Sequence, residues 1–161
     1  CHPLAELGVR LESPAFVSGV EVPVLATTFR VAKDRSRTSH GNKPEIEVDG
    51  ERLFAEEFVV RHLRRTGWDA FWIDSHKRSF WPLEVDPPKH LATWVTDLGA
   101  GRRYTTGTWD VVASRGSSII AYELKGPRDS IKQSQAQWFG EASLRGLDVE
   151  ASAVLSWSTG R

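Results

Sequence analysis

Two charged side chains inside an otherwise apolar strand restrict what this chain can fold into. The stretch GTWDVVASRGSSIIAYELKGPRD, Gly107–Asp129, reads as two short strands, Trp109–Ala113 and Ser118–Lys125, joined by a tight turn at Ser114–Ser117. Side chains alternate along a strand, so Ile119, Ala121, Glu123 and Lys125 share one face, and Ile120, Tyr122 and Leu124 share the other. Glu123 and Lys125 are then neighbours about 7 Å apart, two strand rises. Buried and unpaired, such charges cost several kcal/mol, so they need a partner, and a metal ion or a phosphate would serve. Asp110, in the preceding strand, completes a set of two carboxylates for a hard divalent cation with an ammonium beside them.

The rest of the chain supplies the frame. Its 161 residues suit one domain with a sizeable core. Asp49–Thr66 is expected to be a helix, capped by Asp49 or Gly50 and stopped by Gly67, with Leu53, Val59, Val60 and Leu63 as its core stripe. Glu56 falls within that stripe, an acid on an apolar face. Glu57, four residues before Arg61, reads as half of a surface pair. Trp68–Ile73 is expected as the first core strand. Ser75–Gly107 is a long mixed connection with a short helix expected around His90–Asp97. Beyond Gly126–Pro127, Ser130 and Gln133 suggest a capping box opening a helix that runs to about Leu144. Leu147–Trp157 alternates as a last strand. The order helix, strand, strand, strand, helix, strand gives an α/β sandwich around a small mixed sheet.

Residues 1–46 read as an N-terminal extension of uncertain structure. Val20–Val31 is rich in strand formers, but Pro23 demotes it to an edge strand or a loop. Asp34–Pro44 reads as an exposed polar loop.

Formal net charge is zero, which argues against indiscriminate coating of nucleic acid but leaves room for a local basic surface. Glu45–Val60 holds six acids and one arginine, whereas Ala100–Gln135 holds six bases and three acids. Lys77, Arg102, Arg103, Arg128 and Lys132 are the candidates to meet a phosphate backbone. The five histidines have no metal-ligand spacing. Trp68, Trp72, Trp109, Trp138 and Trp157 are expected in the core, while Trp81 and Trp94, in the long connection, are candidates for base stacking. A single cysteine, Cys1, permits no internal disulfide. No apolar run approaches the length of a membrane span. With no methionine anywhere, the chain is expected to be a segment or processed product of a longer protein. The lone cysteine suits a reducing compartment, and a cytoplasmic location is expected, in a target cell if the chain is a delivered effector.

The parts GTWDVV, ELKGPRD, Gln135 with Trp138, RGLDVEASAV and the helix AEEFVVRHLRRTGW together resemble the PD-(D/E)XK nucleases, and among them the VRR-NUC branch that includes the Fanconi-associated nuclease. The resemblance covers about Asp49–Trp157 and is weak over Ser75–Arg103. It implies a restriction-endonuclease-like αβββαβ core over residues 47–161, with an insert at about 75–106. It further implies that Asp110, Glu123 and the main-chain carbonyl of Leu124 bind Mg²⁺, with Mn²⁺ as an alternative. Lys125 would act on the attacking water or the phosphate, Glu56 would complete the site, and Asp129 and Gln135 would support it. The branch has Pro where this chain has Trp109, so the approach to the strand differs. The implied activity is hydrolysis of DNA phosphodiesters. Two rivals accompany it: a toxin or effector nuclease domain held in check by an immunity protein, and an inactive nucleic-acid-binding module.

Overall fold

A computed structural model describes residues 3–30, 45–74, 79–98, 109–127, 129–144 and 152–159. After a short 3-10 turn at Ala5–Leu7 come strands β1 (Arg10–Leu11), β2 (Ala15–Val17), β3 (Val20–Val22), β4 (Val24–Phe29), β5 (Glu45–Val48) and β6 (Glu51–Phe54). Helix α1 (Ala55–Arg65) is followed by β7 (Asp69–Asp74), β8 (Ser79–Trp81), α2 (Lys89–Leu98), β9 (Val111–Arg115), β10 (Ser118–Lys125), α3 (Gln133–Leu144) and β11 (Ser152–Thr159).

The molecule is mixed α/β. Seven strands form one sheet in the order β1-β4-β11-β10-β9-β7-β8. β9 and β10 form an antiparallel hairpin, as expected, registered Tyr122↔Val111 to Ser118↔Arg115. However, β9 starts at Val111 rather than Trp109, which leaves Asp110 just before the strand, and the turn is Gly116–Ser117 alone, because Ser114 and Arg115 pair in the ladder. β10 runs parallel to β11, and β11 parallel to β4. Ile120, Tyr122 and Leu124 pack on one face with Val59, Val60 and Leu63 of α1. Ala121 packs on the other with Leu91 of α2 and with Ala136, Trp138 and Phe139 of α3. Helices thus cover both faces. Trp68, Trp72, Trp109, Trp138 and Trp157 are all buried, as expected.

Three further elements differ from the sequence reading. The helix expected from Asp49 begins at Ala55, because Asp49 and Gly50 are the turn of a hairpin between β5 and β6. Both have positive φ, 50° and 79°, the backbone that an Asp-Gly turn supplies to a two-residue hairpin loop. Leu53, assigned to the helix stripe, is therefore a buried strand residue. The stop at Gly67 holds: with φ 95° it lets its own N–H reach the Arg64 carbonyl and the Trp68 N–H reach the Leu63 carbonyl. Arg61 turns to Glu51 at 2.9 Å, not to Glu57, whose Oε1 accepts the Phe54 N–H and caps α1.

The segment around Pro23 is not peripheral. β4 lies inside the sheet, between β11 and the two-residue β1. Pro23 is tolerated because it serves as an acceptor, taking the Val154 N–H at 2.8 Å. Finally, α3 starts at Gln133, with Gln135 rather than Gln133 folding back to cap it. Among the described residues, no helix is long and apolar enough to cross a membrane.

Candidate active site

Register alone brings two acids together. The last pair of the β9–β10 ladder is Val111↔Tyr122, so Asp110, one residue before β9, stands opposite Glu123. Asp110 Oδ2 accepts the Leu124 N–H at 2.8 Å, which anchors its carboxyl against the end of β10. The N–H and C=O of one strand residue point to the same side, so the Leu124 carbonyl also faces the Asp110 side of β10. The Asp110 carbonyl in turn accepts the Ile73 N–H at 2.8 Å, tying the acid to β7.

Glu123 is 3% exposed and Lys125 8% exposed. Lys125 Nζ lies 3.6 Å from Glu123 Oε1. From the helix above, Gln135 Nε2 donates to the same oxygen at 2.5 Å. Glu123 Oε2 is buried and receives no hydrogen bond among the described residues. Burial pushes the Glu123 carboxyl well above the usual range, and the neighbouring Asp110 charge pushes it further. Lys125 opposes this and Glu56 adds slightly to it. The Asp110 and Glu123 carboxyls are close enough to share a proton. Two acids so placed hydrogen-bond only while one is protonated; otherwise they need a cation between them.

Glu56 is 3% exposed at the start of α1, on the far side of the sheet from α3, and its charge acts on Glu123. Asp129 is exposed and works through the backbone. Its Oδ2 accepts the Gly126 N–H at 3.3 Å and its own N–H donates to the Gly126 carbonyl at 3.1 Å, closing the turn that follows Lys125. Gly126 has a second reason to be glycine that the sequence did not disclose: a Cβ there would sit 2.8 Å from Cζ2 of the buried Trp157.

The structure therefore gathers Asp110, Glu123, the Leu124 backbone, Lys125 and Gln135, with Glu56 as a nearby buried charge and Asp129 as a turn former. Lys132 is exposed at the start of α3. Lys77, Arg102, Arg103 and Arg128 lie outside the described residues. Trp81 stacks edge-on against Trp72 at the sheet margin, with ring centroids 6.4 Å apart. Trp94 lines a groove of about 660 Å³ with Lys89, His90, Thr93 and Ile119, at the hairpin end of β10 away from the acids. Buried Ala121, under α3, separates the two places.

Among the described residues, no three His, Cys, Asp or Glu side chains form a metal-holding cluster. The oxygen set at the sheet end is two carboxylates and one carbonyl. That set fits a hard divalent cation such as Mg²⁺, which takes one or two carboxylates and fills its remaining positions with water or phosphate. The buried Glu123 Oε2, which receives no donor from outside the acid pair, fits it too. Compared with known proteins, the chain matches no family model, no curated protein and no solved structure.

Proposed function

We propose that this chain is a divalent-metal-dependent nuclease of the PD-(D/E)XK kind, with a restriction-endonuclease-like core, hydrolysing DNA phosphodiesters. The observation that carries the reading is the Asp110–Glu123 acid pair with Lys125 Nζ 3.6 Å from Glu123. The succession α1, β7, β9, β10, α3, β11, interrupted by β8 and α2, supports it. So does a site strand flanked by an antiparallel and a parallel neighbour.

Asp110, Glu123 and the Leu124 carbonyl would hold Mg²⁺ or Mn²⁺, which when bound would supply a Lewis acid and lower the pKa of a bound water, making a nucleophile available at neutral pH. The chain's own residues do the remaining work. Leu124 N–H fixes the Asp110 carboxyl. Gln135 fixes the Glu123 carboxyl and keeps one of its oxygens turned to Lys125. Lys125 presents a fixed positive charge to the phosphate oxygens as negative charge accumulates on them, and needs no reorganisation when it does. Glu56 keeps the pocket electronegative, which favours a cation at the acid pair.

The test is incubation of the purified chain with supercoiled plasmid, linear DNA and RNA in Mg²⁺, Mn²⁺ or EDTA, beside Glu123→Ala and Lys125→Ala. Metal-dependent cleavage lost in both variants is the expected result. Binding of DNA without cleavage under every condition would favour the inactive binding module.

A further inference from the structure

β11 and β4 run on past the end of β10, and the residues they expose there share the face of Lys125. Lys125 pairs with Ser156, Ser156 with Ala26, and Ala26 with Arg10, so these four form one row on that face, with Arg10 3.8 Å from Glu12. The next row is Ser158 with Thr28. The alternate residues Leu25, Thr27, Leu155 and Trp157 turn to the other face and are buried. Ser156 is half-buried, and Ser158 and Thr28 are exposed. None of the three hydroxyls has a hydrogen-bond partner among the described residues. The two rows contain no acid. One row in the other direction lies Glu123, nine-tenths buried, with Oε2 receiving no donor from outside the acid pair.

We propose that Ser156, Ser158 and Thr28 form a shelf that binds the phosphodiester backbone of the substrate strand where it leaves Lys125. The proposal rests on the nuclease reading and extends it to a substrate path. Phosphate oxygens are acceptors that hydroxyls satisfy without adding net charge, and much of protein–DNA hydrogen bonding is of this sequence-independent kind. Ala26 and Ser156 are small enough for a sugar-phosphate chain to approach the sheet closely. Ser156 and Ser158 are two rises apart, about 7 Å, comparable to the step between phosphates in a drawn-out strand. A chain of zero net charge thereby gains a phosphate track of hydroxyls between Lys125 and Arg10.

The test compares the wild type with a Thr28→Glu/Ser158→Glu double variant and a Thr28→Lys/Ser158→Lys double variant. Binding of a fluorescent single-stranded and a duplex oligonucleotide is followed by anisotropy across a salt series without divalent metal. Steady-state cleavage is measured with Mg²⁺, and melting curves check the fold. The glutamate variant should raise Kd and KM by roughly tenfold, as expected when a bond to a charged group is replaced by repulsion, with kcat within about twofold. The lysine variant should bind more tightly and steepen the salt slope by about 0.7–0.9 per added lysine. Should the wild type cleave while neither variant changes Kd, KM or salt slope, the shelf is refuted and the nuclease stands. Should the wild type neither bind nor cut DNA or RNA, the nuclease reading fails and the shelf fails with it. If the glutamates disrupt folding, the lysine variant decides.

Discussion

Gln135 bridges the start of α3 to the buried acid Glu123. Its Nε2 donates to Glu123 Oε1 at 2.5 Å while its own Oε1 accepts the Lys132 N–H at 2.9 Å. One side chain thus caps a helix and orients a carboxylate. Gln135→Ala loses both and should lower the cleavage rate by about 10–100-fold, the usual effect of removing a partner of a metal-binding group. Gln135→Glu keeps the capping oxygen but sets a negative charge against Glu123. It should move the acidic limb of the pH–rate profile to higher pH, a displacement that loss of the cap alone would not produce.

Glu123 is a liability to the metal-free fold. Its carboxyl is raised in the folded state by burial, then by Asp110. A raised folded value means that the folded state holds the proton more tightly than the unfolded chain. The contribution is fully present below the unfolded value, about 4.3, and is lost as pH rises through the folded one. Glu123→Gln, which cannot ionise, should therefore melt at a higher temperature than the wild type at neutral pH in EDTA. The gap should close as the pH falls below about 4. Each kcal/mol corresponds to about 2–4 °C in a domain of this size.

If the same pair holds metal as proposed, metal is a stabiliser. A ligand that binds only the folded chain adds about 2.7 kcal/mol at a hundredfold excess over Kd. Mg²⁺ or Mn²⁺ should raise the melting temperature of the wild type, EDTA should reverse the shift, and Asp110→Ala and Glu123→Gln should show little of it. Differential scanning fluorimetry across a metal titration reads this directly.

Gly126 and Trp157 test the packing behind the site. Gly126→Ala places a methyl 2.8 Å from the indole Cζ2 and should destabilise by about 1–3 kcal/mol. Trp157→Leu costs stability by itself through the cavity it leaves, but in the double variant it should recover part of the Gly126→Ala loss. A urea-denaturation double-mutant cycle measures that coupling.

The site was legible in the sequence because it is local. Asp110, Glu123, Leu124 and Lys125 lie on one hairpin, whose alternation fixes their faces and whose short turn fixes their register. Helix α3 was legible as an element, but SIKQSQ offers two glutamines to cap it, and only the fold selects Gln135. Asp49–Gly50 was ambiguous in the same way, since Asp before a periodic run signals a helix cap and Asp-Gly between alternating residues signals a hairpin. The alternation in EIEV and ERLF was the cue for the second. β4 was obscured by Pro23, whose missing N–H matters less than its carbonyl, engaged by Val154. The meeting of Gly126 with Trp157 joins residues far apart in sequence and has no local signal at all.

The most direct measurement is the single-turnover rate of cleavage of a labelled oligonucleotide in saturating Mg²⁺, wild type against Asp110→Asn. Asparagine can still accept the Leu124 N–H, so the fold is kept while the charge is removed. The account predicts a rate lower by about a thousandfold or more, a rise of at least about 4 kcal/mol in the barrier, and no wild-type cleavage in EDTA. A wild-type rate in Asp110→Asn, or cleavage that persists in EDTA, would contradict it.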